Sequence, residues 1–195
     1  IRGSTQKNNA EDIPFIPMEL ISDYKIFAEY EIRKRKDVKS YTYCEAGDLL
    51  LAKITPSLEN GKQGIVPFNI PHGFALATTE VFPISCKGME GLFLFYILKH
   101  PKFRKVLEHS MTGTTGRQRV SKRSVKRLRI PLPPIDEQRR IGEVLSCVDD
   151  AIQKSEEGIA KTERLKKGLM RKLLTEGIGH KEFKETKIGK IPKTW

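Results

Sequence analysis

Two stretches of this chain carry polar side chains at a density suited to nucleic-acid contact. The first, Thr112-Gly113-Thr114-Thr115-Gly116-Arg117-Gln118-Arg119, sets hydroxyls and two glycines beside two arginines and an amide. Glycine N–H groups and small hydroxyls approach phosphates closely, arginine pairs with guanine through two hydrogen bonds, and glutamine does the same with adenine. The second stretch, residues 53–64, offers Lys53, Thr55, Ser57, Lys62 and Gln63 on a scaffold rich in turn residues. Lys122 and Arg123, with Lys126 and Arg127, follow the first stretch and would attract phosphates regardless of base sequence. Taken singly, each stretch could be an ordinary surface turn, so the surrounding charge has to be weighed.

That charge is concentrated. The 195 residues have a formal net charge of +12, yet residues 1–98 hold 11 basic and 12 acidic side chains. Residues 99–129 hold 11 basic and one acidic, Glu108; residues 130–160 hold 3 and 7, and residues 161–195 hold 11 and 4. An excess of ten positive charges within residues 99–129 repels itself, which a surface facing a polyanion tolerates, and nucleic acid is the commonest such partner. From charge alone, a solvated basic face is the competing reading.

Catalytic signatures are missing. Gly113-Thr114-Thr115-Gly116 is too short for a G-x-x-x-x-G-K-[ST] phosphate loop and lacks its lysine, and neither G-x-G-x-x-G nor G-x-S-x-G occurs. Leu132-Pro133-Pro134-Ile135 superficially matches the Asn/Asp-Pro-Pro-aromatic element of adenine methyltransferases. Leucine, however, offers no acceptor for an amino group, and isoleucine no ring to stack on a flipped base. Glu182-Phe183-Lys184 has a nuclease-like spacing but sits in a charged tail where neither a supporting strand nor a partner aspartate is expected. Cys44, Cys86 and Cys147 are scattered and odd in number, which argues against a disulfide framework and a zinc site and fits a reducing cytoplasm. His72, His100, His109 and His180 lack ligand spacing, so no metal is expected. There is no apolar run of the roughly 20 residues that a bilayer requires, and no secretory leader opens the chain; a soluble protein is expected.

The elements that must position these stretches follow from periodicity and punctuation. Short apolar runs at residues 12–18, 41–44, 48–54, 64–68, 74–78 and 80–85 predict strands, with internal prolines favouring edges and ends. From Gly91 to Ser110 the pattern becomes helical, and Pro101 starts a second piece at residues 102–109. A polar loop follows at 112–119, then a short helix capped by Ser121, then a strand over 128–134 that ends in prolines. The fold class is therefore α+β: a mixed α/β globular domain over residues 1–134, then a long coiled-coil-forming helix.

Ile141, Leu145, Val148, Ile152, Ser155, Ile159, Thr162, Lys166, Leu169 and Leu173 recur in alternating steps of four and three, the seam of a coiled coil. A helix over residues 136–176 would be roughly 60 Å long at 1.5 Å per residue. Such a stripe needs a second helix, since packing back on its own domain would suit a short piece better than about forty residues. Its pairing positions are Ile141, Leu145, Val148, Ile152, Ile159, Leu169 and Leu173. Gly177 and Gly179 supply the stop, so the helical segment spans 135–178 and a lysine-rich, extended linker occupies 179–195. The opening Ile1-Arg2-Gly3-Ser4-Thr5 reads as the middle of a strand and turn, and the closing tryptophan as the edge of another folded unit.

Leu132-Pro133-Pro134-Ile135-Asp136-Glu137-Gln138, leading into this helix, resembles the P-L-P-P-x-x-E-Q entry to the spacer helix of type I restriction-modification specificity subunits. Gly47-Asp48-Leu49-Leu50, Lys53-Ile54-Thr55-Pro56-Ser57, residues 112–121 and Leu169-Met170-Arg171-Lys172-Leu173-Leu174 with Gly177 extend the resemblance over nearly the whole chain. Gly189-x-Ile191-Pro192-x-x-Trp195 is similar to the segment that opens a further recognition domain. The resemblance implies a target-recognition domain that reads double-stranded DNA and an antiparallel partner helix from the same chain or another. It also implies modification subunits that carry S-adenosylmethionine and methylate adenine, and a restriction subunit. No cofactor is implied for this chain, and no catalysis. The runners-up are a coiled-coil assembly adaptor with a basic surface and the recognition part of a fused restriction-methyltransferase.

Overall fold

The computed structural model describes residue 1 and residues 10–114, 116–187 and 189–195. The turn expected near residues 2–5 and the candidate Thr115 lie outside the described residues. The chain divides into two compact units, Ile1–Ser146 and Cys147–Trp195.

In the first unit, β1 (Asp12–Ile16), β2 (Glu31–Lys34), β3 (Thr42–Glu45) and β6 (Phe74–Ala77) form a sheet in the order β2-β1-β6-β3, with β1 and β6 parallel. β4 (Leu49–Ala52) lies between β5 (Gln63–Ile65) and β7 (Val81–Ile84) in an antiparallel sheet. All four β4 residues are fully buried. Successive strand side chains point to opposite faces, so Leu50 joins Ile16, Cys44, Ala75 and Val81 in one core cluster while Leu49 and Leu51 join Leu94, Phe95 and Leu107 in another. A strand covered on both faces reads as an unbroken apolar run, which is what Leu49-Leu50-Leu51-Ala52 is.

The second cluster seats α1 (Gly91–Lys99) and α2 (Pro101–His109). The Glu90 carboxylate caps α1, accepting from the Leu92 and Phe93 amides at 2.7 and 3.1 Å. Pro101 opens α2, whose Lys102 amide donates to His100 Nδ1 at 3.2 Å. β8 (Thr112–Thr114) and β9 (Arg117–Arg119) follow, then α3 (Lys122–Arg127), where the expected cap is present: Ser121 Oγ accepts from the Ser124 amide at 3.0 Å.

Three expectations need correction. Where a loop was expected, Thr112–Thr114 and Arg117–Arg119 pair as the two strands of a hairpin, with Thr112 opposite Arg119 and Thr114 opposite Arg117. Residues 128–134 form no strand, because Pro131, Pro133 and Pro134 have no N–H to give a ladder. The tail pairs with itself: β10 (Phe183–Thr186) and β11 (Gly189–Pro192) run antiparallel. The charged edge strand β2 has no apolar alternation and was not foreseen.

α4 (Ile135–Glu176) begins in the first unit. The rest of it, with β10 and β11, makes up the second unit. Leu145, Val148, Ile152, Ile159, Leu169 and Leu173 are 39–62% exposed. No helix among the described residues is long and apolar enough to cross a membrane. α4 ends at Gly177, whose φ of +67° suits glycine and whose amide donates to Leu173 O at 3.1 Å. A Cβ there would lie 2.5 Å from His180 Cδ2 and 2.9 Å from Trp195 Cζ2. Gly177→Ala should thus cost roughly 1–2 kcal/mol in left-handed strain and shift the emission of Trp195, the single tryptophan, to the red. An emission spectrum superimposable on wild type would contradict this packing.

Candidate nucleic-acid interface

Beyond the end of β4 the chain runs on as Lys53, Ile54 and Thr55, and the hairpin strand β9 lies beside these residues. The Thr55 amide donates to Gln118 O at 3.0 Å, the Val120 amide donates to Lys53 O at 2.9 Å, and Ile54 bridges Arg119 in antiparallel fashion. The two polar stretches, about sixty residues apart in sequence, are thereby stitched into one edge. Gly113 makes the hairpin possible: at φ +131° a Cβ would meet Arg117 O at 2.5 Å.

The hairpin offers Thr112, Gly113, Thr114, Arg117 and Arg119 as exposed groups, with Gln118 half-buried. Lys122 and Arg123, exposed at the start of α3, extend the positive edge. Several candidates already have protein partners. Arg119 pairs with Glu80 at 3.0 Å, Thr55 Oγ1 donates to Glu59 at 3.0 Å, and Lys62 Nζ donates to Met18 O at 3.0 Å. Lys53 Nζ lies 5.4 Å from the Phe82 ring centroid. Arg117, Lys122, Arg123, Lys126 and Arg127 form no ion pair among the described residues.

Two expected contacts turn inward. Gln63 is fully buried on β5; its Nε2 donates to Phe95 O at 2.5 Å and its Oε1 accepts from Arg104 Nη2 at 2.6 Å. Ser57 is buried beside Leu58. Neither can reach a nucleic acid in this conformation. Arg104 likewise leaves the basic surface for the core, where burial pushes its guanidinium down to about 10, with Glu108 opposing the shift.

Sequence reading missed what Gln138 does. Its side chain is buried where α4 starts: Nε2 donates to Pro133 O at 2.8 Å, and Oε1 accepts from the Glu90 amide at 3.0 Å. One turn on, Gly142 presses against α1 so closely that a Cβ would fall 2.7 Å from Leu92 Cβ. The Glu-Gln pair after the prolines was the visible signal; the clamp it forms depends on a helix 48 residues earlier. Ile141, half-buried, lines a groove of about 640 Å³ with Phe93, Tyr96 and Leu132.

Among the described residues, no three His, Cys, Asp or Glu side chains gather as a metal site would require. Cys44, Cys86 and Cys147 form no disulfide, and burial pushes the Cys86 thiol up to about 11, so it stays protonated at neutral pH.

Residues 2–164 match the type I restriction modification DNA specificity domain. The chain belongs to this family. Within it, the chain is 33% identical to a putative type I restriction enzyme MjaX specificity subunit of Methanocaldococcus jannaschii, over 99% of this chain and 47% of that protein. It is 38% identical to the type I restriction enzyme EcoAI specificity subunit of Escherichia coli, over 76% of this chain and 26% of that protein. The chain thus spans about half, or less, of these relatives. Among solved structures, the HsdS subunit from Thermoanaerobacter tengcongensis shares the fold at a TM-score of 0.60 and 20% identity, covering 84% of this chain and 42% of that one. A chain from a type I R-M system assembly gives 0.63 and 21%, with the same coverage. The mixed α/β domain followed by a long helix is therefore the architecture of this specificity family.

Proposed function

We propose that this chain is a DNA-recognition half of a type I specificity subunit and performs no catalysis itself. Residues 1–134 read one part of a split duplex site through the stitched edge, with Arg117 and Gln118 at base edges and Lys122 and Arg123 on phosphates. Residues 135–178 are the spacer, whose exposed seam pairs with an antiparallel helix from the same chain, as in a two-domain subunit that residues 179–195 would link, or from a second copy. Modification subunits supply S-adenosylmethionine and adenine methylation, and a restriction subunit completes the complex. The observation that carries this reading is the hydrogen-bonded union of the two polar stretches beside the cations of α3, which form no ion pair among the described residues.

The test is selection from a randomised duplex pool by the chain assembled with its modification subunits. Arg117→Ala and Gln118→Ala should each relax preference at defined base pairs, by roughly 1–3 kcal/mol where a bidentate contact is lost. Unaltered discrimination in both variants would refute the assignment of these residues. An assembly adaptor with a merely basic surface would select no sequence at all.

A further inference from the structure

Arg104 lies outside the binding edge and outside the basic surface, yet it is the only cation among the buried residues described in the core. Its two terminal nitrogens do separate work. Nη1 donates to Leu58 O at 3.1 Å and Nη2 to Gln63 Oε1 at 2.6 Å, while Gln63 passes the connection on to Phe95 O in α1. One guanidinium thus ties α2, α1, β5 and the chain between β4 and β5 together.

That intervening chain is tightly wound. The Leu58 amide donates to Ile54 O, the Asn60 amide to Pro56 O, the Gly61 amide to Leu58 O and the Lys62 amide to Ser57 O, each at 2.9 Å. Leu58 is fully buried, so the winding is anchored from below and only Pro56, Glu59 and Asn60 are exposed at its crest. A planar fork can hold two acceptors at once in fixed geometry, which a lysine ammonium or an apolar side chain cannot do. Burying a cation without an ion pair is costly, and well-packed apolar residues commonly serve stability better at such positions. What the arginine adds at this position is a fixed shape for the winding.

We infer that Arg104 is a positioning residue for DNA recognition: it holds residues 53–62 in the conformation that presents Lys53, Thr55 and Asn60 at the edge, without touching DNA. The inference rests on the reading of that edge as DNA-facing. It extends the recognition machinery to a side chain inside α2, behind the surface.

Hydrogen exchange on the full chain and duplex selection by the assembled complex test it together, with Leu107→Ala as a control. Leu107 is a fully buried neighbour in α2 that shares a core cluster with Leu49, Leu51 and Leu58 but, among the described residues, forms no hydrogen bond to residues 53–63. In Arg104→Met, amides of Leu58, Asn60, Gly61 and Lys62 should exchange at least about tenfold faster relative to those of β4, a local opening distinct from general loosening. Leu107→Ala should loosen both sets alike. Arg104→Met should also flatten base preference at a subset of positions, Arg104→Lys should restore part of it, and Leu107→Ala should leave it intact. Equal exchange ratios in Arg104→Met and Leu107→Ala, or an unaltered preference in Arg104→Met, would overturn the inference. If instead the exchange behaves as expected but Lys53→Ala and Thr55→Ala leave the preference untouched, the DNA-facing reading of residues 53–62 falls, and the specificity role with it.

Discussion

Replacing Lys122, Arg123, Lys126 and Arg127 together by alanine should lower affinity for every duplex by roughly 10³-fold at physiological salt. Each phosphate neutralised releases condensed counterions and contributes about 0.9 to the slope of log affinity against log salt. Four lost contacts reduce that slope by about 3–4, and projecting the difference from about 1 M to 0.15 M salt gives the stated loss. The four side chains are exposed around one short helix and form no ion pair among the described residues, so their removal breaks no internal bridge found there. Cognate and unrelated duplexes should weaken in parallel, unlike the selective effect at Arg117 and Gln118. Affinity titrations across salt concentrations check this: a slope equal to wild type would place the phosphates elsewhere.

Gly142→Val should destabilise the first unit by about 2–3 kcal/mol, the range of overpacking at a tight contact. Even the first atom of the new side chain would meet Leu92 Cβ at 2.7 Å and both Glu90 Oε2 and the Phe93 amide nitrogen at 3.3 Å. Those last two atoms belong to the cap of α1, and the Gln138 clamp on the Glu90 amide lies one turn away. Valine gains a few tenths of a kcal/mol in helix propensity over glycine, too little to offset the clash. Denaturant unfolding followed by circular dichroism reads the change. A midpoint unchanged from wild type would mean that α4 is not seated on α1 through this contact.

The fold was legible wherever burial leaves a compositional mark. The apolar run of β4, the proline that divides α1 from α2, the Ser121 cap and the 3–4 seam of α4 all express local rules, and their elements appear at or near the expected positions. β2 escaped because Glu31-Ile32-Arg33-Lys34 is an edge strand held by backbone pairing to β1, which imposes no side-chain pattern. The hairpin at 112–119 escaped for a related reason: threonine, glycine and arginine are permissive, and the bonds that fix them come from residues 53–55.

The exposure of the candidate edge was legible by residue type, but only in part. Thr112, Gly113, Thr114, Arg117, Arg119, Lys122 and Arg123 are outward, as their polarity suggested. Gln63 and Arg104 reverse the usual rule, because each satisfies the other inside the core and a buried polar pair looks, residue by residue, like surface. Gln138 is the converse: its motif was conspicuous, but its bond to Glu90 joins segments whose proximity only the tertiary fold creates.

Hydrogen-exchange footprinting of the chain in its complex, with and without the duplex recovered by selection, tests the central claim most directly. Protection on binding should appear at residues 53–61, along β8 and β9, and at the start of α3, while the four-stranded sheet β2-β1-β6-β3 should be unchanged. Protection confined to that sheet, or to α4, with residues 53–61 and 112–119 unaffected, would contradict the account.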